Sequence, residues 1–330
     1  MKNNPKISII MPVYNVETFL SEAIESVLNQ TFYDFEFVII NDGSTDNSLE
    51  IIKNYEKKDS RIVLLDNKEN LGITKSLNIG LNKARGEYIA RMDGDDISEK
   101  ERIEIQYDFL KKNRDVFLVG TETKRIDEKG TVFGIFKPVF TKNELMKNIL
   151  ENNLIYHPTI MMKNKKDLFY REKMYYVEDY DLYLRLISEG KKLDNISLPL
   201  LKYRIREDSI CISKAGKQNL FAKKAREFYK ERLKYGKDSY DKFDPMEILS
   251  IDIEKTTDKS FLEAEAEASF RSNNFKQLRK ISRKYFRYYG FFNKTGFYYI
   301  ISFAGICLVD LARKIRRLPR NIFYIFLYFL

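Results

Sequence analysis

The first hundred residues alternate between short apolar runs and longer segments whose apolar residues recur at helical spacing. Ile7 to Met11 and Phe35 to Ile40 are runs of the first kind, and each predicts a buried strand. Between them Phe19, Leu20, Ala23, Ile24, Val27 and Leu28 predict an amphipathic helix. The pattern repeats: a second helix carries Leu49, Ile51 and Ile52, a third strand spans Ile62 to Leu65, a third helix Ile73 to Ala84, and a fourth strand Tyr88 to Met92. Strand and helix in alternation predict an α/β fold, a mainly parallel doubly wound sheet with helices on both faces.

Past residue 97 the regularity weakens. The pattern predicts a helix over Ile103 to Leu110, a strand at Phe117 to Gly120, a hairpin turn at Asp127 to Gly130, a helix from near Glu178 and a closing strand at Pro199 to Ile205. From about Lys214 the chain reads as helical and highly charged, with a helical hairpin over 261–286 broken at Ser272-Asn273-Asn274. Three parts result: a catalytic domain over 1–213, a charged helical extension over 214–290 and a basic aromatic tail over 291–330.

In a parallel sheet ligands bind beyond the carboxyl ends of the strands. Those ends read Pro12-Val13-Tyr14-Asn15, Asn41-Asp42-Gly43-Ser44-Thr45-Asp46 and Asp93-Gly94-Asp95-Asp96. An Asp-x-Asp at a strand end suits a hard divalent cation, Mg²⁺ or Mn²⁺, which completes its shell with water and substrate phosphates. Read alone, the same acids also fit a solvated turn with a helix cap at Ser98. Tyr14 alone fits an ordinary strand-end aromatic, and Asp42 a turn residue before a helix near Asp46.

In order and spacing, six stretches resemble the family 2 glycosyltransferases of the GT-A fold. They are Ile7 to Asn15, Ser26 to Phe32, Asn41 to Asp46, Asn70-Leu71-Gly72, Ala84 to Ile89 and Asp93 to Asp96. The resemblance covers about residues 6–210 and implies a nucleoside-diphosphate sugar donor, UDP-linked, and a bacterial cell-surface polysaccharide role. It assigns Pro12, Val13 and Tyr14 to the nucleoside pocket, Asp42 to the base, Asp93 to the ribose and diphosphate, and Asp95 with Asp93 to the metal. An aromatic face and a hydrogen-bond acceptor suit a uracil ring.

Glu178-Asp179-Tyr180-Asp181 opens a predicted helix, where acids also simply complement the helix dipole. The resemblance implies that Asp179 is the general base, with Glu178 and Asp181 supporting it, and that His157-Pro158-Thr159 lies toward the acceptor. His157 is the chain's single histidine, which excludes histidine pairs and multi-histidine metal sites. Two departures stand out. Tyr203-Arg204-Ile205-Arg206 has Arg206 where many relatives have histidine, offering a cation to phosphate, and Ser76-Leu77-Asn78 lacks the usual Ala-Arg-Asn.

Charge separates body from tail. The net charge is +10, yet from Lys276 onward there are twelve Lys or Arg and one acid, Asp310, which leaves the rest of the chain near neutral. Short apolar segments at 297–309 and 322–330 flank Arg313, Lys314, Arg316, Arg317 and Arg320, a pattern that predicts contact with an anionic membrane surface; a packed helix pair with a solvated basic face is the alternative. No base-reading motif accompanies the charge, so nucleic acid is not an expected partner. The polar start and the two distant cysteines, Cys211 and Cys307, predict a reducing location, the cytoplasmic face of the membrane, with a glycan or polyprenyl-linked acceptor. Two other functions compete: a nucleotidyltransferase, which wants a Gly-rich basic loop after the first strand, and a non-catalytic membrane-bound scaffold.

Overall fold

The computed structural model describes residues 4–136, 145, 148–151, 153–206, 214–272, 274–291 and 293–303. Two compact units make up the chain: Met1–Arg206 with Ala225–Lys242, and Glu207–Lys224 with Phe243–Leu330. Residues 225–242, expected in the helical extension, thus group with the first unit.

The first unit is built on one sheet in the order β3-β2-β1-β4-β8-β6-β9-β5. Its strands are β1 (Ile7–Val13), β2 (Phe35–Asp42), β3 (Ile62–Asn67), β4 (Tyr88–Arg91), β5 (Ile97–Ser98), β6 (Val116–Ile126), β7 (Val132–Phe136), β8 (Met161–Lys163) and β9 (Lys192–Arg204). The first four strands are parallel, as the alternation predicts. β8 then runs antiparallel to both β4 and β6, and β6 pairs in parallel with β9. β5 and β8 carry no periodic signal because they are two and three residues long. β6 continues past Gly120 to Ile126, and β9 starts at Lys192 rather than Pro199. Polar residues such as Glu122 and Asp194 interrupt the apolar pattern there while the ladder carries on.

Successive strand residues point to opposite faces, and both faces of β1 are covered. Ile7, Ile9 and Met11 join one core with Leu20, Ala23, Ile24 and Val27 of α1 (Glu17–Leu28) and Ile103 and Leu110 of α4 (Arg102–Lys112). On the other face Ile10 and Ile40 lie against Gly80 of α3 (Ile73–Lys83), so closely that a Cβ there would come within 2.7 Å of Ile10. α2 (Ser48–Glu56) follows β2, and α5 (Glu178–Ser188) precedes β9. All eight residues of β2 are buried, including Glu36, which accepts from the Ser8 hydroxyl at 2.6 Å and pairs with Arg85. A buried acid held this way is satisfied. Ser98 lies in β5 and caps no helix; α4 begins at Arg102.

The second unit is helical. α6 (Ala215–Tyr235) begins in it, and α7 (Met246–Leu249), α8 (Lys259–Arg271), α9 (Phe275–Tyr289) and α10 (Lys294–Ile301) follow. Asp258, Asn274 and Asn293 cap the last three by accepting from backbone N–H groups of the first turn. Phe261, Leu262, Ala266, Phe270, Leu278, Ile281, Tyr285, Phe297 and Tyr298 form its core. The expected hairpin is therefore present. Residues 304–330, with Cys307 and the basic run Arg313 to Arg320, lie outside the described residues, as does Cys211. Among the described residues no helix is long and apolar enough to cross a membrane.

Candidate active site

The loops after β1 and β2 are tied together. Asn15, in left-handed backbone at φ 50°, accepts from the Thr45 N–H at 2.8 Å and donates its own N–H to Ser44 Oγ at 3.2 Å. This leaves Tyr14 about half exposed at the end of β1, with Val13 buried behind it and Pro12 partly so. Asp42 is buried, and its carboxylate accepts from the Leu71 and Gly72 N–H groups and the Asn67 amide, at 2.9–3.0 Å. It thereby holds the Asn70-Leu71-Gly72 loop against the sheet edge. Gly43 (φ +68°) makes that approach possible, because a Cβ would lie 2.4 Å from the Glu69 backbone.

Beyond β4, carboxylate oxygens of Asp93, Asp95 and Asp96 lie within 4.8 Å of one another. Burial and the Asp93 charge push Asp95 up to about 6, and burial with its two neighbours pushes Asp96 well above the usual range. Asp96 accepts from the Arg204 N–H at 2.8 Å, but its buried Oδ2 has no partner. Arg204, itself buried, is a strut. It donates to the carbonyls of Asp95, Asp127 and Glu128, pairs with Glu22 at 2.8 Å, and lies over the Phe19 ring. Arg206 reaches Asp95 at 3.5 Å. Crowded acids with an unsatisfied buried oxygen are the donor set a divalent cation fits. Asp95, Asp93 and Asp96 would hold it, and it would neutralise charge on a diphosphate.

The second acid group lies at the start of α5, just after Tyr176, which is strained at φ 67°. Asp179 Oδ2 accepts from the Asn153 amide at 2.7 Å, while Glu178 Oε2 is buried with no partner. Burial and the Asp179 charge push Glu178 up to about 8; Asp179 is also raised by burial, but hydrogen bonds from Tyr180 N–H and Asn153 oppose the rise. The Asp179 carboxylate is thus the hydrogen-bonded member of the pair and Glu178 Oε2 the unpartnered one. Burial holds His157 neutral and keeps the Tyr170 hydroxyl protonated. The Tyr170 hydroxyl and His157 Nε2 are hydrogen-bonded at 2.8 Å, and Nδ1 of the same ring lies 3.8 Å from Glu178 Oε1. Asp181 is fully buried and pairs with Arg185 at 3.0 Å and Arg171 at 3.8 Å, a bracing role for the helix.

Arg91 belongs to none of the sequence motifs. It ends β4, its side chain is buried, and it pairs with Asp93. Its charge also favours the ionised forms of Glu178 and Asp179, so one buried cation serves both acid groups. The signal was present as an arginine inside an otherwise apolar strand, Tyr88 to Met92. Asn153 and Tyr170 had no such signal. Asn78 exchanges two hydrogen bonds with the Tyr170 backbone, at 2.8 and 2.9 Å, and so braces the His157 partner.

The mixed sheet thus carries one acid group after β4 and a second at the start of α5. The model of "Glycosyl transferase family 2" matches residues 8–169. An uncharacterised glycosyltransferase of Methanocaldococcus jannaschii is 40% identical over 225 residues, which span 67% of this chain and 78% of the relative. The O-antigen biosynthesis glycosyltransferase WbnJ of Escherichia coli is 35% identical over 233 residues, 68% of this chain and 90% of the relative. The chain belongs to glycosyltransferase family 2. Its fold is shared with S. aureus TarS 1-349 in complex with UDP-GlcNAc, at TM-score 0.55, 16% identity and coverage of 94% and 92%. It is shared too with the mannosyltransferase PcManGT from Pyrobaculum calidifontis in complex with GDP-Man and Mn2+, at TM-score 0.51, 13% identity and coverage of 95% and 80%.

Proposed function

We propose that this glycosyltransferase moves a sugar, with inversion, from a UDP-linked donor to a hydroxyl of a lipid-linked or cell-surface glycan, at the cytoplasmic face of the membrane. The observation that carries the reading is the acid pair at the start of α5, where the Asn153 amide and the Tyr180 N–H orient the Asp179 carboxylate and the buried Arg91 charge favours its ionised form. Pro12, Val13 and Tyr14 receive the nucleoside, with Asp42 fixing the loop that faces the base. Asp93 and Asp95 would hold Mn²⁺ or Mg²⁺, which would supply charge neutralisation at the diphosphate, and Arg206 would add a fixed cation there.

Asp179 takes the proton of the acceptor hydroxyl as its oxygen attacks the anomeric carbon from the face opposite the diphosphate. The new glycosidic bond forms while the bond to the diphosphate oxygen breaks, and that oxygen keeps the electron pair. Glu178, held protonated by burial and the Asp179 charge, does not compete for the acceptor proton. Residues 1–213 serve as the catalytic domain, 214–290 as its helical extension, and the basic aromatic tail over 291–330 meets an anionic membrane. UDP-GlcNAc in a structural neighbour and O-antigen synthesis in a relative support the donor and acceptor classes. A panel of sugar nucleotides with Mn²⁺, read by release of nucleoside diphosphate, tests the proposal. Release from one UDP-sugar is expected; release from none, with or without a glycolipid acceptor, overturns it.

A further inference from the structure

A groove of about 970 Å³ runs along α9 in the second unit, its other wall formed by Ile253, Glu254 and Lys255. The groove is lined by seven cations, six of them on α9, and by one acid. The spacing explains this. Leu278, Ile281, Ser282 and Tyr285 turn one face of α9 into the core, so Lys276, Lys280, Arg283, Lys284 and Arg287 are left on the opposite face at intervals of three and four. Lys280 pairs with Glu254 at 2.6 Å and Lys284 donates to the carbonyls of Ile253 and Glu254, fastening the loop to the helix. Lys276 and Arg287 are exposed and have no acidic partner among the described residues. Like charges at these intervals repel and weaken a helix. Glu254 is the one acid that lines the groove, and it pairs with Lys280.

The basic face adjoins exposed apolar side chains. Arg279 lies 4.1 Å from the Phe303 ring centroid and Arg283 reaches the Tyr299 hydroxyl at 3.4 Å, while Ile300, Phe303 and Tyr288 are each more than half exposed. A nucleic-acid surface needs the cations but not the bare Ile300 and Phe303; a bilayer interface uses both. We propose that the α9 face from Lys276 to Arg287 is a docking surface for the phosphate headgroups of an anionic bilayer. This rests on the membrane reading given under Proposed function, but it places the contact on α9 rather than on residues 291–330.

The test uses the full chain and sedimentation with vesicles of phosphatidylcholine alone or mixed with phosphatidylglycerol, at low salt. Replacing Lys276, Arg283 and Arg287 together by Glu is expected to weaken binding to the anionic vesicles by about tenfold or more. Acceptor-independent hydrolysis of the donor should be unchanged, since no site residue is touched. The new Glu residues face Lys280 and Lys284 at helical spacing, which favours the helix. If that variant fails to fold, the same three positions as Gln give a weaker loss in the same direction. Wild-type binding by the α9 variant, with loss on reversing Arg313, Lys314, Arg316 and Arg317, overturns this inference and leaves the membrane reading standing. No binding of the unmodified chain to anionic vesicles overturns both. Tighter binding to a DNA duplex than to vesicles, or saturable binding of inorganic pyrophosphate without vesicle binding, also overturns it.

Discussion

Arg91 and Asp93 form an ion pair at 2.5 Å in which the arginine side chain is 4% exposed and the aspartate 26%. Burial alone would pull the guanidinium down, but the Asp93 carboxylate more than offsets this and holds it charged. Arg91 Nε finds no partner, so the cation depends on the acids around it, and they on it. Arg91→Met leaves the partly buried Asp93 carboxylate without its partner and should cost about 3–5 kcal/mol in urea unfolding. In protein that folds, the acid limb of the pH–rate profile should move to higher pH, because Arg91 favours the ionised form of Asp179. Arg91→Lys restores the limb but not the full stability, since an ammonium lacks the guanidinium fork. Unchanged stability in Arg91→Met would show that the pair holds nothing in place.

Asp179→Asn should keep donor affinity while lowering turnover by roughly two to four orders of magnitude, the usual worth of a positioned base. Asn keeps the shape and one of the two accepted hydrogen bonds, from Asn153 or from the Tyr180 N–H, and cannot take a proton. Calorimetric titration of the nucleotide beside a turnover assay separates the two effects. Loss of donor binding with normal turnover per bound donor assigns Asp179 to the nucleotide instead.

Glu178 supplies a pH dependence of stability. Folded, it holds its proton up to about 8, against an ordinary value of 4.5, because burial and the Asp179 charge penalise the ionised form. The folded state therefore binds the extra proton between those values. The stability this confers is complete below 4.5 and is lost as pH rises through 8. Glu178→Gln removes the loss, so its melting temperature should gain on the wild type from about pH 5 to about pH 9. A constant or shrinking difference would mean that Glu178 is ionised and paired in the fold.

The parallel half of the sheet was legible because strands buried on both faces read as continuous apolar runs, as β1 and β2 do. β8 was not, although it carries Met161 and Met162 between β4 and β6, since three residues have no period. The strand-end acids were legible as residues but not as contacts. Asp42 binds the N–H groups of Leu71 and Gly72, about thirty positions away, through a loop approach that no local pattern encodes. Arg91 was visible as a charge in an apolar strand, and only tertiary packing revealed that two acid groups share it.

The three clustered aspartates differ in what else they do, and this separates metal binding from folding. Asp95 contributes its backbone carbonyl, not its carboxylate, to the Arg204 strut, and its side chain reaches Arg206 at 3.5 Å. Asp95→Ala should therefore fold normally and lose Mn²⁺ binding, measured by calorimetry or electron paramagnetic resonance, along with metal-dependent donor affinity. Asp96 receives the Arg204 N–H in the buried interior, so Asp96→Ala should cost about 1–3 kcal/mol of stability as well. Asp93→Ala strands the buried Arg91 and should show the largest thermal loss of the three. An Asp95→Ala protein with wild-type turnover in metal-free buffer would remove the carboxylate cluster from catalysis altogether.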